Sequence, residues 1–265
     1  MCQSLGQAFF GLAGYGAAPR ASSHLTPRER KFMKYFTLSF DDGTVQDIRF
    51  VEMINKYGLK CTFNINSGLF SNKNRIVHEG IEVDHTRIEA GMVSELYAGH
   101  EVAVHTKTHP RLDMCDREKI IDEVLGDKIS LEALCGYDIV GMAYPGGPFY
   151  NDFVIETILE NTTLIYARNI DSHRSFVFPD DLMRWRPTCH QNDPAIFDMA
   201  RDFIAASPEE DLLFYLWGHS FEFDKYKSWD SFERFCDLIA GKPDITYVTN
   251  KTIAEARGCG DAATF

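Results

Sequence analysis

The stretch YFTLSFDDGTVQD, residues 35–47, decides how this chain is read. A strand-forming apolar run ends in two adjacent carboxylates, Asp41 and Asp42, followed by Gly43. Adjacent acids repel, so the end of this strand needs a positive charge to hold both ionised. Neighbouring side chains of an extended segment point to opposite faces, which lets the two acids serve different partners. Gly43 lets the backbone turn sharply beside them. Taken without its surroundings, Asp-Asp-Gly also fits an ordinary turn.

Outward from this stretch, short apolar runs alternate with longer helical ones. Strands are expected at 35–40, 61–65, 101–105, 139–144, 163–167, 212–217 and 245–248. Helices are expected at 46–57, 87–98, 117–134, 152–160, 194–205, 231–239 and 252–257. In the first helix Ile48, Val51, Ile54 and Tyr57 recur every three residues as one apolar face, and Gly58 follows as its stop. Alternating β and α predicts a parallel sheet with helical crossovers, either a closed or nearly closed (β/α) barrel or a doubly wound sheet. Both place chemistry at the C-terminal ends of strands. A chain of 265 residues, 45% hydrophobic, can bury one barrel-like domain or two small ones. With no internal repeat or Pro-rich linker after residue 33, one domain is the economical reading.

The formal net charge of −12 disfavours nucleic acid, anionic membranes and polyanionic glycans as partners, and favours neutral sugars or small molecules. Seven scattered cysteines form no CxxC pair and read as reduced thiols of a cytosolic protein. No run has the ~20 apolar residues of a membrane span. Residues 1–32 are Gly/Ala/Ser-rich, show no helix or strand period, and have no basic flank before their short apolar stretch. They are expected to be a disordered or non-native extension, with Met33 as the native start, a catalytic domain over 33–258 and a tail at 259–265. The localisation expected on these grounds is cytoplasmic.

The polar residues at the expected strand ends are few. The third strand leads into His105 and His109, four residues apart; the fourth ends in Tyr144-Pro145-Gly146-Gly147, and a late one in His219. In a helical turn, the His105–His109 spacing would present both imidazoles to one metal ion. With Asp42 from another strand end, two His and one Asp make a three-ligand site with open positions, the catalytic pattern. Asp41 would then face the attacking water, and the cation would offset the repulsion between the acids. His219 titrates near neutrality and can donate a proton to a leaving group. A backbone N–H near Tyr144 can stabilise an oxyanion.

The ordered set SFDDG, HTKTHP, YPGG and YLWGH resembles the polysaccharide deacetylases, carbohydrate esterase family four, which carry the NodB-homology domain. CTFNINSGLF, residues 61–70, resembles the family's second strand and following loop. The resemblance implies a distorted (β/α)7 barrel and metal-dependent deacetylation, usually of a sugar polymer, with zinc the common metal and cobalt or another divalent ion in some members. It implies Asp41 as catalytic base, Asp42, His105 and His109 as metal ligands, His219 as catalytic acid and Tyr144 as the oxyanion-donor region. Two positions depart from the pattern. The family's arginine that pairs with the base is Ala143 here, with Arg168, Arg184 and Arg186 as candidate replacements. The Asp-Trp motif is only partly present in DDLMRWRPTCH, where Trp185 could wall the acetyl pocket or fill the core. Other readings are a cytosolic hydrolase of small linear or cyclic amides and a non-catalytic carbohydrate-binding relic.

Overall fold

A computed structural model describes residues 32–258, so the expectations for 1–31 and the 259–265 tail lie outside the described residues. Its elements in chain order are β1 Lys34–Asp41, α1 Asp47–Lys56, β2 Cys61–Ile65, β3 Arg75–His78, β4 Ile81–Asp84, α2 Val93–Leu96, β5 Glu101–Val104, α3 Arg117–Cys135, β6 Gly141–Ala143, α4 Asp152–Asn161, β7 Tyr166–Arg168, β8 Cys189–His190, α5 Ile196–Ala205, β9 Leu212–His219, α6 Phe221–Tyr226, α7 Trp229–Ile239, β10 Ile245–Tyr247 and α8 Asn250–Gly258.

The main sheet runs β7-β6-β5-β2-β1-β9-β8, with β10 beside the first half of β1, and every ladder in it is parallel. It forms the distorted (β/α) barrel expected from the sequence, and the segment before β8 runs from β7 to β9. There Trp185 bridges to Arg168 of β7, and Cys189 and His190 then pair with β9. Central β1 is buried at all eight positions, as a strand covered on both faces must be. Its alternation divides the interior. Phe36, Leu38 and Phe40 join the large core under the helices, where Phe40 stacks on Phe50 of α1 at 4.0 Å. Thr37, Ser39 and Asp41 point the other way, onto Asn250, Asn64 and Arg168.

Helix ends follow local chemistry. Asp116 caps α3 by accepting from the Lys119 N–H, and Asn151 caps α4 by accepting from the Val154 N–H. Gly58, at φ 67°, closes α1, its N–H going to Asn55 O and the Leu59 N–H to Ile54 O. The buried stripe of α1 is Phe50, Val51, Met53 and Ile54, while Ile48 is exposed, because a strict three-residue repeat drifts off one face of a 3.6-residue helix.

Several segments differ from the sequence expectation, among them the short β8 and the strand expected at 163–167, which is β7 at Tyr166–Arg168. The helix expected over 87–98 shrinks to a 3₁₀ turn, Ala90–Met92, and α2, because Arg87 and Ile88 are held extended. The Arg87 N–H donates to Asn72 O, and the Ile88 N–H to Gly43 O. The β3–β4 hairpin was not expected. Glu79 and Gly80, both at positive φ, form its two-residue turn, and Lys225 of α6 ties down Glu79 at 2.8 Å. Helix α6 itself also lay outside the expected elements. The five described cysteines Cys61, Cys115, Cys135, Cys189 and Cys236 are free, and no described helix is long and apolar enough to cross a membrane.

Candidate active site

The C-terminal ends of β1, β5 and β9 bring Asp41, Asp42, His105, His109 and His219 to one rim. Asp41 is the last residue of β1, in register with Asn64 and His219. Asp42 then leaves the strand at φ 83° and Gly43 continues at φ 61°, so the two carboxylates part through a left-handed kink as well as strand alternation. A Cβ on Gly43 would meet Ile65 Cγ2 at 2.9 Å, so the turn requires glycine there.

Each acid has its own arginine. Arg168, fully buried, grips both oxygens of Asp41 and stacks on Trp217, with its guanidinium 4.7 Å from the ring centre. Asn64 adds a hydrogen bond to Asp41 Oδ1 at 2.8 Å. Burial pushes the Asp41 carboxyl up, but Arg168, with His105 and His219, outweighs it and holds the group below the usual carboxylate range. Asp42 has Arg87 Nη1 at 3.0 Å from Oδ1 and His85 Nε2 at 3.0 Å from Oδ2. Burial again pushes up, while Arg87, His85 and the other nearby histidines hold Asp42 well below that range. The repulsion between the adjacent acids is therefore offset by protein side chains, and not only by a cation as the sequence had suggested.

Asp42 Oδ1 lies 3.9 Å from Nε2 of both His105 and His109, and the three ligand atoms lie within 4.8 Å of one another. The histidines do not come from a helical turn. Thr106 at φ 64° and His109 at φ 61° kink the chain so that the two rings meet edge to face at 4.9 Å. His105 Nδ1 faces the Ala143 carbonyl at 2.9 Å; a carbonyl only accepts, so Nδ1 carries the proton and the Nε2 lone pair points at Asp42. Burial lowers His105 to about 4 and lowers His109 as well, which leaves neutral imidazoles at pH 7. Asp127 of α3 accepts from the His105 N–H, and Asn66 donates to the carbonyls of His105 and Thr106, which fixes the loop. Buried Asp42 Oδ1 has no hydrogen-bond partner among the described residues, since the Arg87 hydrogen bond goes to the Asp42 carbonyl. One unsatisfied carboxylate oxygen and two neutral nitrogens fit a divalent cation.

Across the rim, His219 Nε2 lies 4.0 Å from Asp41 Oδ2, and its Nδ1 lies 3.2 Å from Glu222 Oε1. Burial by itself would lower this imidazole; Glu222 beside it, with Asp42 and Asp41, raises it to about 9. Asn192 Nδ2 and Gln191 Nε2 also donate to Glu222, and His190 Nε2 lies 3.4 Å away. His190, His219 and Glu222 lie close enough to suggest a second cation site. His190 Nδ1, however, accepts the Asn192 N–H, so Nε2 keeps its proton and faces Glu222 as a donor. This group orients His219.

The model of the polysaccharide deacetylase family matches residues 29–164, just over half of the chain. The chain belongs to that family. Among solved structures, a Mycobacterium smegmatis protein described as a candidate polysaccharide deacetylase superposes with a TM-score of 0.62 at 14% identity, over 89% of this chain and 93% of that one. A family 4 acetyl xylan esterase from Clostridium thermocellum, solved with a cobalt ion, gives 0.51 at 15% identity, over 84% and 92%. The Streptococcus pyogenes deacetylase PplD aligns over 51% of this chain and 55% of its own, at 21% identity and a TM-score of 0.42. No curated protein matches the sequence significantly.

In this polysaccharide deacetylase-family chain the remaining candidates separate. Of the three arginines, Arg168 reaches Asp41, from the strand position paired with Ala143. Arg184 forms exposed ion pairs with Asp152 and Asp181, and Arg186 donates to the Asp171 carbonyl. Trp185 is a core residue, 1% exposed, set edge-on against Tyr166 and Tyr215, and does not wall the site. Tyr144 also needs correction. Its N–H donates to the Arg168 carbonyl at 2.9 Å, its hydroxyl donates to Met183 O, and its ring stacks on Tyr150, so it offers no oxyanion donor. Two residues on, Gly146 turns at φ 71° beside His109, 3.7 Å from where a Cβ would stand, and no acceptor is found for its N–H among the described residues. The sequence reading missed His85, Arg87, Asn64, Trp217 and Glu222. Only Glu222, one helical turn after His219, had a readable spacing signal.

Proposed function

We propose that residues 33–258 form a metal-dependent deacetylase domain that hydrolyses an acetyl group, foremost an N-acetyl group, on a carbohydrate. The observation that carries this reading is the placement across one rim of Asp41, clamped by Arg168, with His219 Nε2 4.0 Å from it and His219 Nδ1 3.2 Å from Glu222. Such a base and acid on opposite sides of a cation-ready triad suit the hydrolysis of an unactivated amide.

Asp42 Oδ1, His105 Nε2 and His109 Nε2 would hold the ion, with Zn²⁺ foremost and Co²⁺ or another divalent cation able to serve. When bound, it supplies Lewis-acid polarisation of the acetyl carbonyl and lowers the pKa of water. Asp41, ionised and fixed by Arg168 and Asn64, takes a proton from the attacking water. The Gly146 N–H donates to the oxygen on which negative charge develops. His219 donates its Nε2 proton to the leaving nitrogen or oxygen while the Glu222 carboxylate, 3.2 Å from Nδ1, favours the protonated imidazole. Asp41, 4.0 Å from His219 Nε2, then returns the water proton to the imidazole, which balances the cycle: amide and water give amine and acetic acid, which ionise to ammonium and acetate.

One observation favours a small substrate. The cavity of about 340 Å³ that contains Asp42 and His109 is also walled by Asn72, Asn74, Ile76 and His85, from the hairpin and its flanks. Its volume is at the low end for ligand pockets, which suits a small substrate. The test is acetate release from the metal-loaded protein, measured on N-acetylglucosamine, chitooligosaccharides and acetylated xylan beside small linear and cyclic amides. Acetate from an acetylated sugar supports the proposal; turnover of the small amides alone would replace it with the amidase reading.

A further inference from the structure

Two side chains on Asp42 come from a segment that the proposed reaction does not use. Directly after β4, the chain runs antiparallel beside the turn that follows Asp42. The Val45 N–H donates to Thr86 O, the Ile88 N–H to Gly43 O, and Thr44 and Arg87 form an antiparallel bridge. Alternate side chains of such a segment share a face. His85 and Arg87 therefore both reach Asp42, while Thr86 turns to the Asp84 carboxylate. Both are nearly fully buried, at 8% and 7% exposure.

This arrangement gives the aspartate pair a charge balance. Asp41 is matched by Arg168 and Asp42 by Arg87. The oxygen of Asp42 that faces both histidines is the same oxygen that has Arg87 Nη1 at 3.0 Å. A guanidinium does not deprotonate in a protein, so its charge persists whatever else binds. A divalent cation on Oδ1 meets that fixed charge at close range in a poorly solvated pocket, where like charges repel strongly.

We propose that Arg87 is a built-in counter-ion of Asp42 that holds the carboxylate in place without metal and weakens the binding of the cation that arrives. The proposal rests on the reading of Asp42, His105 and His109 as ligands. Its consequence is a metal centre that folds intact before loading and exchanges its ion readily.

The experiment measures Zn²⁺ affinity by competition with a chromophoric chelator in the wild-type protein, Arg87→Gln and Arg87→Lys. Gln keeps a donor for the Asp42 carbonyl and removes the charge; Lys keeps the charge. Arg87→Gln is expected to bind Zn²⁺ at least about tenfold more tightly, about 1.4 kcal/mol, and to melt at a lower temperature without metal. Arg87→Lys is expected to stay within about threefold of wild type. Equal or weaker Zn²⁺ binding by Arg87→Gln would overturn the proposal, because a merely structural arginine would weaken binding in both variants. Should Arg87→Gln not fold, the wild-type protein decides: the Arg87 guanidinium NMR resonance must shift on Zn²⁺ addition, and an unmoved resonance overturns the idea. Zn²⁺ bound with equal affinity by wild type and variant removes this proposal alone. No Zn²⁺ bound by either removes the ligand reading as well.

Discussion

Arg168→Gln tests the support of the proposed base. Arg168 is fully buried and Asp41 is 3% exposed, and the guanidinium grips both carboxylate oxygens. Removing one partner of such a pair leaves an uncompensated buried charge, worth about 3–5 kcal/mol. For a domain of this size each kcal/mol moves the melting temperature by about 2–4 °C, so a fall of about 6–20 °C is expected. The pH dependence has a definite sign. In the wild-type protein Asp41 titrates below its ordinary 3.8, so its contribution is full above that value and is lost as pH falls through the lower folded value. Without Arg168 burial dominates and the folded carboxyl titrates above its ordinary value. The deficit of the variant should therefore shrink as pH is lowered from 7 toward 4. Calorimetric melting of the metal-free proteins across that range measures it, and acetate release should fall at least about 100-fold with the base misplaced. Ala143→Arg, in the neighbouring strand at the register partner of residue 168, should restore part of both losses. A variant that melts within about 2 °C of wild type, with a pH-independent difference, would refute the reasoning.

The other predictions concern the acid and the corrected tyrosine. His219 is raised to about 9, so it stabilises the fold fully below its ordinary 6.5 and loses that contribution as pH rises from 6.5 to about 9. With the side chain 21% exposed, the loss should be on the order of 2 kcal/mol in the metal-free protein, read from denaturant midpoints. Glu222→Gln should flatten that decline and move the alkaline limb of the activity profile to lower pH; an unmoved limb would remove Glu222 from the account. Tyr144→Phe should lose about 1 kcal/mol of stability with its hydrogen bond to Met183 and keep near-wild-type acetate release, whereas a large fall in turnover would return Tyr144 to the chemistry.

The fold was legible because β9 is an almost continuous apolar run and β1 and β2 alternate apolar residues with small polar ones in short strand-length segments. The rim was legible because few polar residues interrupt those runs at their C-terminal ends. What was not legible came from irregular backbone. Arg87 lies in a stretch of helical composition, yet its N–H and its bridge to Thr44 hold it extended, a long-range pairing that no local window contains. The His105–His109 spacing suggested a helical turn, whereas two left-handed residues do the work. Glu79-Gly80 is not one of the favoured Asn-Gly or Asp-Gly hairpin pairs, and its flanking strands are only four residues long and rich in charge. The family position of the base's arginine is Ala143, and only the register of β6 against β7 shows that Arg168 stands one strand over.

The central claim is the division of labour between the paired aspartates, and metal content measured together with acetate release tests it most directly. The account predicts one divalent ion per wild-type chain and none in His105→Ala. It predicts an Asp41→Asn protein that keeps the ion and releases acetate at less than about one-hundredth of the wild-type rate. An Asp41→Asn protein with wild-type turnover, or a His105→Ala protein that retains its metal, would contradict it.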